Sequence, residues 1–227
     1  MIRLAFAFAF AAAALAVSGL SAEPAKLTLK GEKIELPDGL PEALKPEFTT
    51  DAFTISDGDS KSISLWFRKE IPSKASAEQI KNGLTYREIP EGSLVGLVKF
   101  DKAFVDFRKQ ELPAGIYSLR IAIQPDTGDH KDTAPHPDFV LLSPVADDKT
   151  LEPPELKDLV KRSLKVTGSD HPAVMLLFPH FGKDAAAKIV AKEHGVQCLQ
   201  LKRTVKSDVG ETTLGFAIVV AGFSKMR

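Results

Sequence analysis

Apolar residues in this chain come in short alternating runs, and turns rich in glycine, proline or aspartate cut them off about every 8–15 residues, the rhythm of strands joined by turns. Asp51–Lys69 predicts a strand pair: Phe53 and Ile55 run into the turn Asp57-Gly58-Asp59-Ser60, and Ile63, Leu65 and Phe67 then alternate with Ser64, Trp66 and Arg68. Ser93–Phe100 follows the turn Pro90-Glu91-Gly92 as a further strand. Ile116–Ile123, entered through Pro113-Ala114-Gly115, is the cleanest strand of all, and Phe139–Leu142 stops at Ser143-Pro144. Lys26–Leu36 predicts a hairpin about Gly31-Glu32, because Leu27 and Leu29 would then face Leu36 and Ile34. Val174–Pro179 reads as a short buried strand, and Val196–Val205 with Thr213–Ala221 as a closing strand pair about Ser207-Asp208-Val209-Gly210.

Helical signals are fewer. Ser76 and Gln79 have capping-box spacing ahead of Gly83, which predicts a turn or two of helix. Leu156, Leu159, Val160 and Leu164 form an amphipathic stripe opened by Pro153-Pro154 and stopped by Gly168. Asp184 is placed to cap a second helix over Ala185–Glu193, closed by His194 and Gly195. Regular strand-helix alternation is confined to the part after residue 150, so a doubly wound α/β fold ranks second. The expected fold is mainly β: an antiparallel β-sandwich or jelly roll with two short helices in the last third, as one domain over residues 23–227.

The amino terminus carries an export pattern. Arg3 precedes the apolar run Leu4–Val17, and the small residues of Ser18-Gly19-Leu20-Ser21-Ala22 follow. The run is short for a membrane span, which needs about 20 apolar residues. A cleaved signal peptide over residues 1–22 and a periplasmic or extracellular product are expected. No cysteine adjoins the cleavage site, so no stable membrane anchor is expected after cleavage. Cleavage would leave 29 Lys+Arg against 30 Asp+Glu, since only Arg3 is charged in that segment. Such a balanced chain has no basic excess with which to hold nucleic acid. Cys198, the single cysteine, has no internal disulfide partner and sits in an alternating run that suits a small buried side chain.

The segments Leu65–Lys69, Asp106–Gln110, Pro113–Arg120, Gln124–His130 and Ser169–Ala173 occur here in an order that resembles an uncharacterised family of secreted bacterial proteins. The resemblance spans roughly residues 60–180, with Gly128-Asp129-His130 its most particular motif. It implies an exported β-rich domain and supplies no catalytic residues.

The polar stretch Gln124–Asp138 is the strongest functional candidate, because structureless loops of that length are uncommon inside compact domains. Asp126, Asp129 and Asp132 offer oxygen ligands to Ca²⁺. His130 and His136, with His171 or His180, offer nitrogens to Zn²⁺ or Cu²⁺. The plainer alternative is a polar loop whose aspartates make turn hydrogen bonds. Trp66 and Tyr117 could form a stacking platform or fill the core. Arg68, Arg108 and Arg120 lie near strands, where Asp106 or Asp129 could pair with them. Ser60 follows Gly58-Asp59 in a turn, not at a strand-to-helix elbow, which disfavours a hydrolase. The expected function is therefore an exported non-catalytic binding or structural module for a small ligand or protein partner. Its site would be the 124–138 loop, with Asp126, Asp129, His130, His136, Trp66 and Arg120 as binding candidates. The alternative is a metal-binding protein, or a metal-dependent enzyme or redox accessory, with Asp129, His130, His136 and His171 as ligands to Ca, Zn or Cu.

Overall fold

The computed structural model of the chain describes residues 26–58, 62–124 and 134–223. The export segment, Ser60, and the loop residues Asp126, Asp129, His130 and Asp132 lie outside the described residues. The strands are β1 (Thr28–Lys33), β2 (Asp51–Ser56), β3 (Ser62–Phe67), β4 (Ile71–Pro72), β5 (Leu94–Phe100), β6 (Phe104–Val105) and β7 (Glu111–Leu112). They continue as β8 (Gly115–Ile123), β9 (Asp138–Pro144), β10 (Val174–Leu176), β11 (Lys188–Ala191), β12 (Gln197–Ser207) and β13 (Gly210–Ala221). The α-helices are α1 (Ala77–Asn82) and α2 (Leu156–Thr167).

Seven strands form one antiparallel sheet in the order β1-β2-β3-β5-β8-β9-β10. Each strand of it neighbours the next in sequence, so the sheet is a meander with insertions and carries no jelly-roll crossover. A smaller sheet, β11-β12-β13, has β4 alongside β12 in parallel. The two sheets enclose the main core, where Leu65, Phe67 and Leu119 of the large sheet meet Leu201, Phe216 and Ile218 of the small one. The result is a mainly β sandwich with two helices. Where β10 ends, Leu177 N–H still donates to Asp138 O of the large sheet, while Phe178 N–H donates to Ala217 O of the small one. One short segment thus bridges the two sheets.

The large sheet is buried on its outer face as well. Trp66, Leu94 and Leu97 pack beneath Leu40, Leu44 and Phe48 of the segment between β1 and β2. Leu159 of α2 covers Ala122 and Leu141 further along. Burial on both faces explains why β5 is a nearly continuous apolar run and why Trp66 is apolar beside Leu65 and Phe67 in β3. The helix signals at 76–83 and 156–168 correspond to the observed elements. Ser76 and Gln79 form a reciprocal capping box, and Gly168 closes α2 in the left-handed conformation at φ 61°.

Two local expectations are corrected. Lys26–Leu36 is not a hairpin. β1 runs through Gly31 and pairs along its whole length with β2, Leu29 opposite Ile55 and Gly31 opposite Phe53. The larger apolar face of β2 outcompetes the two cross-strand pairs that a hairpin would supply, and Ile34 and Leu36 pack instead with the Trp66 cluster. Ala185–Glu193 is not a helix, so among the described residues α2 is the one α-helix of the last third. Lys188–Ala191 pairs with Gln197–Gln200 of β12, and the turn between them places His194 and Gly195 at φ 60° and 76°. The open edge of β12 and the β-branched pair Ile189-Val190 override the helix preference of the alanines.

One polar network ties the outer layer to the sheet. Arg120 of β8 is fully buried, and its Nε and Nη2 donate to the two oxygens of Asp148 at 2.7 and 2.8 Å. Nη1 donates to Gly92 O at 2.6 Å and Nη2 also to Thr150 O. Arg162 of α2 reaches the same Asp148 carboxylate at 3.4 Å. The donors of Arg120 are thus engaged in structural contacts, and its acid among the described residues is Asp148, not Asp106. Removing one member of a buried ion pair strands the other charge and costs about 3–5 kcal/mol. Asp148→Ala should lose that much stability in urea denaturation, and the double variant Arg120→Met/Asp148→Leu should lose less than Asp148→Ala alone.

Candidate functional site

Helix α2 is more apolar around its circumference than the sheet beneath it requires. Leu159, Ser163 and Val166 are buried, and Ser163 Oγ donates to Ala173 O at 2.8 Å. A second row, Leu156, Val160 and Leu164, runs alongside at one-turn spacing and lines a cavity of about 290 Å³. Leu141 and Phe139 of β9, with Val174 and Leu176 of β10, line the same space. Phe107 and Arg108 contribute from the turn between β6 and β7, and Gln124 and Ala134 from the 124–138 stretch. The polar residues Asp170 and His171 are exposed, as is Arg108.

The Phe107-Arg108 wall is held by Asp106, which is fully buried. Its carboxylate accepts the backbone N–H of Arg108 and of Gln110, each at 2.9 Å, and the Gln110 side-chain amide at 3.0 Å. Burial raises the Asp106 pKa, while these donors oppose the rise. Lys109 takes a positive φ of 68° to close the turn. Gln110 also donates to Pro172 O at 3.1 Å, and its Oε1 lies 2.5 Å from Ser169 Oγ. The turn and the 169–172 segment are thereby fastened together at the cavity mouth.

A second polar cluster lies around the bridge between the sheets. Tyr86 OH donates to Phe178 O and accepts from Ala217 N–H, each at 3.0 Å, and burial raises its pKa. Asp138 and Arg87 line a cavity of about 230 Å³ with Tyr86 and His180. Arg87 Nε lies 3.6 Å from Asp138 Oδ1, a buried oxygen that receives no hydrogen bond. Burial raises the Asp138 pKa, with Arg87 and His136 opposing. Burial also lowers the pKa of His136, whose ring meets Phe178 edge-on at 4.5 Å. A Cβ at position 215 would overlap the His180 carbonyl, so Gly215 lets this segment lie against β13.

The residues singled out from sequence are thus dispersed. Trp66 is 1% exposed in the outer core, its Nε1–H donating to Ile34 O, so it presents no stacking face to a ligand. Tyr117 is buried in the inner core, on the other side of the sheet. His136 packs on Phe178, His171 stands at the mouth of the larger cavity and His180 lines the smaller one. Asp126, Asp129 and His130 lie outside the described residues. Among the described residues, no three His, Cys, Asp or Glu side chains are grouped to hold a metal. No described helix is long and apolar enough to cross a membrane. Cys198 is buried, and burial pushes its thiol up to about 12. Comparison of the chain with family models, curated proteins and solved structures gives no match.

Sequence reasoning missed the larger cavity. Its one legible trace was the wide apolar stripe of α2, whose Leu156, Val160 and Leu164 exceed what one row of sheet contacts consumes.

Asp138 has a readable pH signature. With its folded pKa above 3.8, the carboxyl favours folding at low pH, and that benefit is lost as pH rises through the folded value. Asp138→Asn should therefore be more stable than the parent at about pH 7, with the gap closing toward about pH 3.5, as read by urea denaturation across the range.

Proposed function

We propose that this chain is an exported, non-catalytic binding module that holds a small, mainly apolar molecule in the cavity beneath α2. The cavity carries the reading. Its volume of about 290 Å³ falls just below the ~300–1,000 Å³ typical of small-molecule sites, and apolar side chains form most of its wall. Catalysis requires a reactive group facing the bound molecule. Here the ionisable groups Arg108, Asp170 and His171 are exposed, and apart from Gln124 the rest of the described wall is aliphatic, Phe or Pro. That arrangement favours retention over chemistry. Gln124 and Ala134, both within the 124–138 stretch, border this cavity, which supports the expected location of the site. Export rests on the pattern Arg3, Leu4–Val17 and Ser18–Ala22.

The test is fluorescence titration with a neutral naphthylamine dye, which brightens in apolar surroundings. One saturable equivalent should bind. Val160→Trp, which places an indole in the cavity, should abolish that binding while thermal unfolding stays cooperative. Absence of saturable binding to the folded parent, or undiminished binding to both Val160→Trp and Leu164→Trp, would overturn the proposal.

A further inference from the structure

The rim of the cavity carries a charge pattern that selects among apolar ligands. With 3.6 residues per turn, each position lies about 100° around the helix from the one before it. Leu156, Val160 and Leu164 face the cavity, and Lys157, Lys161 and Lys165 each follow one of them directly. All three lysines are exposed, and at one-turn spacing they form a cationic row beside the cavity wall of α2. The fourth cation of the helix, Arg162, lies on the opposite side and reaches Asp148. Across the cavity, Arg108 is exposed on a backbone that Asp106 clamps in place. Among the described residues that line the cavity, Asp170 is the one acid.

An apolar slot with cations along two sides matches a molecule with an apolar body and an anionic head. We infer that the ligand class is a free anionic amphiphile, such as a medium-chain carboxylate, whose chain enters beneath α2 and whose head meets Arg108 and the lysine row. A guanidinium and ammonium groups stabilise a carboxylate through charge-assisted hydrogen bonds, and at an open rim salt screens that attraction. The apolar row favours a free molecule over a membrane surface. A helix that lies on a bilayer presents its apolar face outward, whereas Val160 and Leu164 are half-buried over the slot, Leu159 packs on the sheet and Val166 joins the main core.

The ligand class rests on the cavity being a ligand site, and one set of titrations separates the two. Decanoate, decanol and decyltrimethylammonium are titrated calorimetrically into the folded protein. Decanoate should bind roughly tenfold tighter than decanol, and the ammonium compound weakest. The preference should collapse toward that of decanol in roughly 1 M salt, where the screening length is about 3 Å. The triple variant Lys157→Gln/Lys161→Gln/Lys165→Gln should lower decanoate affinity several-fold and decanol affinity much less, and Arg108→Gln should weaken decanoate further. If no compound binds, the cavity reading falls. If decanol or the ammonium compound binds as tightly as decanoate, the cavity stands and the anionic class is overturned. Sedimentation with phosphatidylglycerol vesicles that decanoate does not displace would overturn the free ligand in favour of a membrane surface.

Discussion

A guanidinium shut away from water must find its hydrogen-bond acceptors inside the fold, and Arg120 finds them in Asp148, Gly92 and Thr150. That requirement organises the outer layer of the molecule. It fixes the turn before β5 and the segment after β9 against β8, in the middle of the large sheet. Asp148 then takes a second cation, Arg162, from α2. The helix is thereby seated with its buried row over β9, and its second apolar row falls beyond the edge of that contact. The position of the cavity follows from the seat.

The cavity itself is a mismatch between layers. β10, at the edge of the large sheet, is only three residues long before the chain turns away at Leu177 to join the small sheet. A helix of twelve residues lies over a sheet margin too short to fill the space under its whole stripe. The turn between β6 and β7 closes the remaining side, held by the buried Asp106. Burying a carboxylate is costly unless its oxygens are satisfied, and three donors from one tight turn satisfy these. The same short β10 produces the bridge to β13, where Asp138, Arg87, His136 and Tyr86 gather. The two cavities therefore share a cause in the early exit of one strand.

Much of the fold was legible because strand alternation, turn chemistry and capping act over a few residues. β3, β5, β8, β9, β12 and β13 lie where their alternating runs and bounding turns place them. The capping box at Ser76 and the glycine stop at Gly168 needed only local side chains and backbone conformation. The site was less legible. The polar stretch 124–138 drew notice by its length, and two of its residues, Gln124 and Ala134, do border the larger cavity. Its Asp and His content pointed to metal; His136 packs on Phe178 and His171 stands at the mouth of the larger cavity, while Asp129 and His130 lie outside the described residues. Trp66 and Arg120, named among the binding candidates, are buried, and composition does not reveal that this sheet is covered on both faces.

The sequence by itself determined that the chain is a β protein of many short strands, that one amphipathic helix follows residue 153, and that its lone cysteine is a buried thiol. Each of these depends on periodicity or on a single side chain's hydrophobicity. Tertiary structure alone decided that Gly31 lies within a strand, that Lys188–Ala191 is extended despite its alanine neighbours, and that Arg120 belongs to Asp148. It also decided that Leu156, Val160 and Leu164 border a cavity instead of solid core. The physical reason is common to all four. Each outcome rests on a partner distant in sequence, and the energy of packing and ion pairing that such a partner supplies outweighs the local preference of the residues it meets.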